Sequence, residues 1–257
     1  MVLSIIIVSY NARADLLRCL ESLRAAPPAA THEIIVVDNG STDGSVEAAR
    51  RIDGVRVIEA GANLGFARAN NIGIGESTGT TLLLLNSDTV VPRGALDHLL
   101  GELDRDESVA VVGPRLIDGD GRAELSFGRM IGPLNELRQK RLARSGAAET
   151  LTRQRQYPDW VSGACLLVRR SDAEKVGGLD ERFFMYTEDV DFCAAIRARG
   201  RRILFTPDVE VVHLRGRSSA TVPDATREHY RRSQVAFYEK HHPLWVPLLK
   251  LYVRIFS

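Results

Sequence analysis

The sequence predicts an α/β fold: an open, mostly parallel twisted sheet flanked by helices, followed by a smaller sub-sheet and C-terminal helices. Strand-length apolar runs alternate with segments of helical period from Leu3 to Val112, the rhythm of a parallel sheet with crossover helices. The strand runs are continuous (LSIIIVS, EIIVV, TTLLLL), as expected of strands covered on both faces. With 257 residues of which 44% are apolar, the chain is long enough to bury a continuous core.

Taken in order, Leu3–Ser9 is the first strand. Ala14–Ala26 follows as a helix with Leu16, Leu17, Cys19, Leu20 and Leu23 on one face, stopped by Pro27 and Pro28. Glu33–Val37 is a strand and Asp43–Arg51 a helix; Val55–Glu59 is a strand and Phe66–Glu76 a helix. Thr80–Leu85 is the fourth strand, Pro92–Asp104 a helix with proline in its first turn, and Val109–Val112 the fifth strand. The rhythm breaks after Pro114. Gly119–Arg122 (GDGR) reads as a hairpin turn. From Gly128 to Tyr157 no period stands out, and seven basic residues face only Glu136 and Glu149. A solvated face explains such a stretch more often than an anion-binding surface does. Strand pattern resumes over Trp160–Val168, near Arg202–Phe205 and over Val209–Leu214, with helices to about Arg199 and from Thr226 to His241. No internal repeat is visible.

Composition narrows the function. There are 34 basic against 33 acidic residues, a net charge of +1, which argues against nucleic-acid binding through bulk charge. Cys19, Cys165 and Cys193 lack metal-binding spacing and read as reduced, buried thiols, the usage of a cytoplasmic protein. The N-terminal apolar run is strand length without a basic flank, so no secretory signal is expected. In the tail from Pro243 to Ser257, Lys250 and Arg254 interrupt an apolar run too short to span a bilayer. That tail either docks on the core or lies along a membrane surface.

In open α/β sheets ligands bind at the carboxyl ends of the strands. Here those ends read Ser9-Tyr10-Asn11, Asp38-Asn39-Gly40-Ser41, Gly61–Phe66 and Asn86-Ser87-Asp88: four polar exits in succession. Neither GxGxxG after the first strand nor GxxxxGK[ST] is present, which lowers a dinucleotide oxidoreductase and a P-loop ATPase. Asp88 ends the buried run LLLLNSD, where a divalent cation would offset the cost of an unpaired carboxylate. Glu188, Asp189 and Asp191 follow the apolar block FFMY, which would raise their pKa values toward those of a general base. An acidic first helical turn is the plainer explanation. His213 closes the strand VEVVHL near Asp208, Arg215 and Arg217, where a structural role is the ordinary expectation.

Together the segments VSYN, VVDNGSTDGS, NLGFARANN, LLLNSDTVV, GACLLVRR, GGLDERFFMYTEDVDFC and VVHLRGRS resemble, in order, the inverting nucleotide-sugar glycosyltransferases of family 2, in their bacterial rhamnosyltransferase-like branch. The resemblance covers residues 2 to about 220. It implies a glycosyltransferase-A fold in one domain over residues 1–257: a nucleotide-sugar half (about 1–115), an acceptor half (about 116–220) and a helical tail (about 221–257). It implies that Ser9, Tyr10, Asn11 and Asp38 line the base pocket, with Asp38 bonded to uracil or thymine, and that Asn63, Gly65 and Arg68 lie near the ribose and diphosphate. Asn86-Ser87-Asp88 falls on the family's DxD motif with asparagine in first place, so Asp88 alone would supply the acidic contact to Mg²⁺ or Mn²⁺, with His213 as a further ligand. Asp189 falls on the base of the ED motif, beside Glu188. The implied donor is a dTDP- or UDP-sugar (dTDP-rhamnose by branch, with galactofuranosyl, N-acetylglucosaminyl and glucosyl donors as alternatives). The implied acceptor is a glycan or lipid-linked glycan, reached at the inner face of the cell membrane. A nucleotide-binding module without turnover and a nucleotidyltransferase are the competing classes. The retained Asp88, Asp189 and His213 disfavour the first, and the absence of a glycine- and lysine-rich N-terminal signature disfavours the second.

Overall fold

A computed structural model describes residues 2–144, 146–214 and 223–255. The first half follows the predicted alternation: β1 (Leu3–Ser9), α1 (Arg13–Ala25), β2 (His32–Asp38), α2 (Ser45–Arg50), β3 (Val55–Glu59), α3 (Phe66–Glu76) and β4 (Thr81–Asn86). β1 pairs in parallel with β2 on one side and β4 on the other, and β3 extends the sheet beyond β2. Every residue of β1 is buried, and its side chains alternate between two apolar layers. Ile5 and Ile7 join Leu16, Leu20 and Leu99 on one face of the sheet. Ile6 and Val8 join Ala67, Phe192 and Ile196 on the other. A continuous β-branched strand suits this setting because neither face meets water.

The later elements are β5 (Thr89–Val90), α4 (Ala95–Arg105), β6 (Val109–Ile117), β7 (Ala123–Glu124), β8 (Phe127–Gly128), α5 (Pro133–Arg144), α6 (Ala147–Leu151), β9 (Trp160–Val161), β10 (Cys165–Arg169), α7 (Arg170–Val176), α8 (Glu188–Ala198), β11 (Arg202–His213), α9 (Pro223–His241) and, after a 3₁₀ turn, α10 (Val246–Ile255). The sheet order is β3-β2-β1-β4-β10-β6-β11-β5, with β7 added to β6, and β8 and β9 form the small second sheet. β6 does not sit beside β4, as a purely parallel reading would have it. β10, whose residues 165–168 are apolar and buried, inserts between them, antiparallel to both.

Two strand readings change. Trp160–Val168 is two strands, because the chain leaves β9 through Ser162-Gly163-Ala164 before it enters the central sheet. The two strands read over 202–214 are one, β11, whose pairing with β6 shifts register between Thr206 and Glu210. Pro207 lies in that interval and has no N–H to give the ladder. The GDGR turn is a hairpin as expected, closed by Asp118, whose Oδ1 accepts the Asp120 and Arg122 N–H groups. The aperiodic stretch after Gly128 forms α5 and α6, with Arg138 and Arg141 exposed. All three cysteines are free and buried, and burial pushes their thiols up to about 12.

The C-terminal segment docks and yet leaves a face open. Leu249 is buried against Phe237 and Tyr238 of α9, while Leu244 (93% exposed), Trp245 (47%), Leu248 (57%) and Leu251 (54%) meet solvent. Among the described residues no helix is long and apolar enough to cross a membrane.

Candidate active site

The exits of β3, β2, β1 and β4 stand side by side because these strands are neighbours in the sheet. Ser9 and Asp38 are register partners at the ends of β1 and β2. Asp38 Oδ2 accepts the N–H groups of Gly40 (3.1 Å) and Ser41 (2.9 Å), which folds the following loop back over the strand end. Its Oδ1 and the Ser9 hydroxyl are both buried without a hydrogen-bond partner. A buried polar atom left unpaired costs about 1–3 kcal/mol, so two together mark a place where a ligand would supply the missing bonds. Tyr10 is 43% exposed at the rim.

Other predicted donor-side residues hold the loops themselves. Asn11 takes a positive φ (+48°), and its side-chain oxygen accepts the Thr42 N–H at 2.8 Å, joining the loops after β1 and β2. Asn63 Oδ1 accepts from Asn39 Nδ2 (2.9 Å) and the Gly65 N–H (3.2 Å). Asn39, buried and not singled out in the sequence, also accepts the Leu64 N–H at 2.9 Å. Arg68 is on the exposed side of α3, 3.7 Å from the Glu181 carboxylate.

The corner beyond β4 gathers residues far apart in sequence. β5 pairs with the end of β11, Thr89 opposite His213, and the Leu214 N–H reaches the Asp88 carbonyl at 2.8 Å. His213 Nε2 then stands 3.3 Å from Asp88 Oδ1 and 3.4 Å from Asn86 Nδ2, with Ser87 buried between those two residues. Its Nδ1 is 3.1 Å from Glu124 Oε2. Burial alone would lower the His213 pKa, but hydrogen bonds and charge from Asp88 and Glu124 outweigh it and raise it to about 9. A carboxylate and an imidazole 3.3 Å apart fit two neighbouring ligands of one divalent cation with bonds of about 2.0–2.3 Å. Sequence reasoning missed Glu124, whose only signal was an acidic residue just after the GDGR turn.

A second His–carboxylate group, His98, Glu102 and Asp208, belongs to α4 and β11. Buried Glu102 is already paired with Arg105 and Arg155, so this group is an ion-pair cluster, and Asp208 serves it instead of His213. Arg215 and Arg217 lie outside the described residues.

The third part is the segment entering α8. The Phe184 carbonyl accepts the Phe66 N–H at 2.6 Å, directly beside Gly65. A Cβ on Gly65 would stand 2.4 Å from that carbonyl oxygen, and Gly65 has φ +85°, so only glycine lets the loops touch. Tyr186 (+70°) and Thr187 (+67°) both take the left-handed conformation, a strain of about 1–3 kcal/mol each. The Ser233 hydroxyl fixes the Met185 carbonyl at 2.6 Å, and the Phe184 ring stacks on His229 at 4.4 Å. Helix α9 therefore clamps the strained turn.

The three carboxyls beyond that turn have different surroundings. Asp189 Oδ2 accepts the Gly163 N–H and its Oδ1 the Val190 N–H, both at 2.8 Å. Desolvation raises its pKa against these bonds. Glu188 is buried with Oε2 unpartnered, and burial and the neighbouring Asp189 charge push it well above the carboxylate range. Asp191, also buried, binds Lys240 Nζ (2.8 Å) and His241 Nε2 (2.6 Å) of α9, which makes it a tether.

An open sheet of this order, with unsatisfied polar atoms at its strand ends and a buried carboxyl pair beside them, defines a glycosyltransferase-A fold. Solved structures agree: a mannosyltransferase from Pyrobaculum calidifontis in complex with GDP-Man and Mn²⁺ superposes with a TM-score of 0.67 at 21% identity, covering 96% of this chain and 68% of that one. GalNAc-T7 with UDP, GalNAc and Mn²⁺ gives 0.63 at 20% identity, covering 83% and 44%. The chain belongs to glycosyl transferase family 2, whose family model matches residues 4–177. It is 32% identical over 265 aligned positions to the N-acetylglucosaminyl-diphospho-decaprenol L-rhamnosyltransferase of Mycobacterium tuberculosis, covering 95% of this chain and 86% of that protein.

The carboxyl with the raised pKa sets a stability test. Glu188 favours folding fully while protonated in both states, below its unfolded pKa of about 4.3, and this contribution is lost as pH rises through the higher folded value. Glu188→Gln removes the titration. Its thermal midpoint should exceed that of the native chain at pH 8 by about 2–4 °C or more, roughly 1 kcal/mol at this size, and the gap should narrow toward pH 5. An equal midpoint at both pH values would contradict the buried-carboxyl assignment.

Proposed function

We propose that this chain is an inverting glycosyltransferase that moves L-rhamnose from dTDP-rhamnose to a hydroxyl of a glycan or lipid-linked glycan. The observation that carries the reading is the juxtaposition along one sheet edge of the unpartnered Ser9 and Asp38 atoms, the Asp88–His213 pair and the Asp189 turn. Asp38 Oδ1 would accept the ring N–H of thymine or uracil, with Ser9, Tyr10 and Asn11 around the base and Asn63, Gly65 and Arg68 near the ribose and diphosphate. Asp88 and His213 would hold Mg²⁺ or Mn²⁺, flanked by Asn86 and Ser87. The cation supplies charge neutralisation for the departing diphosphate.

Asp189, with Glu188 beside it in the acceptor pocket, takes the proton from the acceptor hydroxyl. That oxygen then forms its bond to the anomeric carbon on the face opposite the leaving diphosphate, so one displacement inverts the centre. A raised carboxyl pKa suits this role near neutral pH. The two Asp189 hydrogen bonds fix the carboxylate before the acceptor arrives, which lowers the entropic part of the barrier. The choice of rhamnose, and of an acceptor such as a lipid-linked diphosphate sugar, is supported by the mycobacterial relative, whose name gives both. In this reading residues 1–115 bind the donor, 116–220 serve the acceptor, and 221–257 form the tail of the same domain.

The tail bears on where the acceptor is met. Leu244, Trp245, Leu248 and Leu251 form an exposed apolar face, and α5, packed on the same helix α9 through Glu136, exposes Arg138 and Arg141. Apolar side chains with nearby positive charge suit the surface of an anionic bilayer, the cytoplasmic face of the cell membrane in this reading.

Three outcomes test these statements. In thermal-shift measurements with dTDP-, UDP- and GDP-sugars and Mn²⁺, the true donor at about 100 times its Kd should add about 2.7 kcal/mol of stability. Silence from every nucleotide would end the donor reading, and a UDP-sugar response would move it to galactofuranose, N-acetylglucosamine or glucose transfer. Asp189→Asn should retain the donor shift and lose about 10²–10⁴-fold in turnover; undiminished turnover would place the base elsewhere. Replacing Trp245 and Leu248 together by glutamate should abolish cosedimentation with phosphatidylglycerol vesicles while the donor shift persists. Undiminished sedimentation would remove the tail from the membrane contact.

A further inference from the structure

Glu124 has no place in the scheme so far, yet its carboxylate is buried. It is 7% exposed and sits on the two-residue strand β7, opposite Leu116 of β6. The adjacent Ile117 of β6 faces Val212 of β11 on the other side, so β6 acts as a ruler that sets Glu124 beside His213. On the far side of the same histidine, β5 sets Thr89 opposite His213 and so brings up Asp88. The imidazole is thereby held between two carboxylates, Nδ1 at 3.1 Å from Glu124 Oε2 and Nε2 at 3.3 Å from Asp88 Oδ1. The two ring nitrogens point away from one another, so Glu124 stands on the side of the ring that a cation shared with Asp88 does not use.

We propose that Glu124 is the positioning residue of the metal corner: it accepts the Nδ1–H hydrogen bond of His213, and so keeps the Nε2 lone pair aimed at the cation held with Asp88. A neutral imidazole carries its proton on one nitrogen only, and the partner of the other nitrogen decides which. A carboxylate behind a ligating histidine fixes that tautomer, restrains ring rotation and raises the basicity of the ligand; loss of such a partner typically weakens metal binding about 10–100-fold. The hairpin closed by Asp118 is then part of the metal corner, since it alone carries Glu124 to the ring. The inference rests on the assignment of Asp88 and His213 as ligands.

Mn²⁺ titrated into the native chain, with free ion followed by electron paramagnetic resonance in saturating dTDP and again in UDP, gives the reference affinity. Glu124→Ala should weaken it about 10–100-fold. Glu124→Gln, whose amide oxygen can still accept the Nδ1–H, should stay within a few-fold. Unchanged Mn²⁺ affinity in Glu124→Ala, or an equal loss in Glu124→Gln, would overturn the proposal and leave the ligand assignment standing. Failure of the native chain to bind Mn²⁺ with either nucleotide would remove both. A second readout does not depend on how a variant folds: ¹⁵N resonances of His213 in the native chain, with Mg²⁺ and nucleotide bound, should show the proton on Nδ1. A proton on Nε2 would overturn the assignment.

Discussion

The site depends on one close contact, the Gly65 backbone against the Phe184 carbonyl, sealed by the Phe66 N–H at 2.6 Å. It joins the loop after β3 to the turn that presents Glu188 and Asp189. Helix α3 begins at that contact, so the first turn of the helix is fixed by a residue of the opposite half of the chain. A side chain at Gly65 would push the two loops apart and carry the carboxyl pair away from the strand ends.

Around that contact the protein spends stability on geometry. Tyr186 and Thr187 hold a conformation that side chains avoid, Glu188 is buried without a full set of partners, and Ser9 and Asp38 keep polar atoms unsatisfied. Such features persist where the surroundings over-determine them. Here the surroundings are α9, through Ser233, His229 and the Asp191 tether to Lys240 and His241, together with Asn71, whose side chain grips both the Leu179 N–H and its carbonyl. The C-terminal helices are thus part of the site's scaffold as well as the carriers of an exposed apolar face.

Much of this was legible in the sequence for local reasons. Continuous β-branched runs, helical periodicity and the GDGR turn are properties of neighbouring residues, so β1 to β4 and the β6–β7 hairpin could be read directly. The polar strand exits were legible because a parallel sheet puts all its carboxyl ends on one edge. What failed was non-local. Nothing in CLLVR says that it will insert antiparallel between β4 and β6, and nothing near Pro207 says that the two flanking runs are one bulged strand.

The site divides in the same way. The sequence by itself carried the fold class and the family motifs; apolar neighbours drew attention to Asp88 and to the carboxyls at 188, 189 and 191, while Asp38 and the roles expected of Asp189 and His213 came from the family resemblance. Only the tertiary structure decided which of them keep free valence. It engaged the Asn11 and Asn63 side chains in holding loops, made Asp191 a tether, and through the β5–β11–β6–β7 register brought Asp88 and Glu124 to the His213 imidazole. Hydrogen bonding is directional and short-ranged, so the partner of each polar atom is fixed only when strands distant in sequence lie side by side.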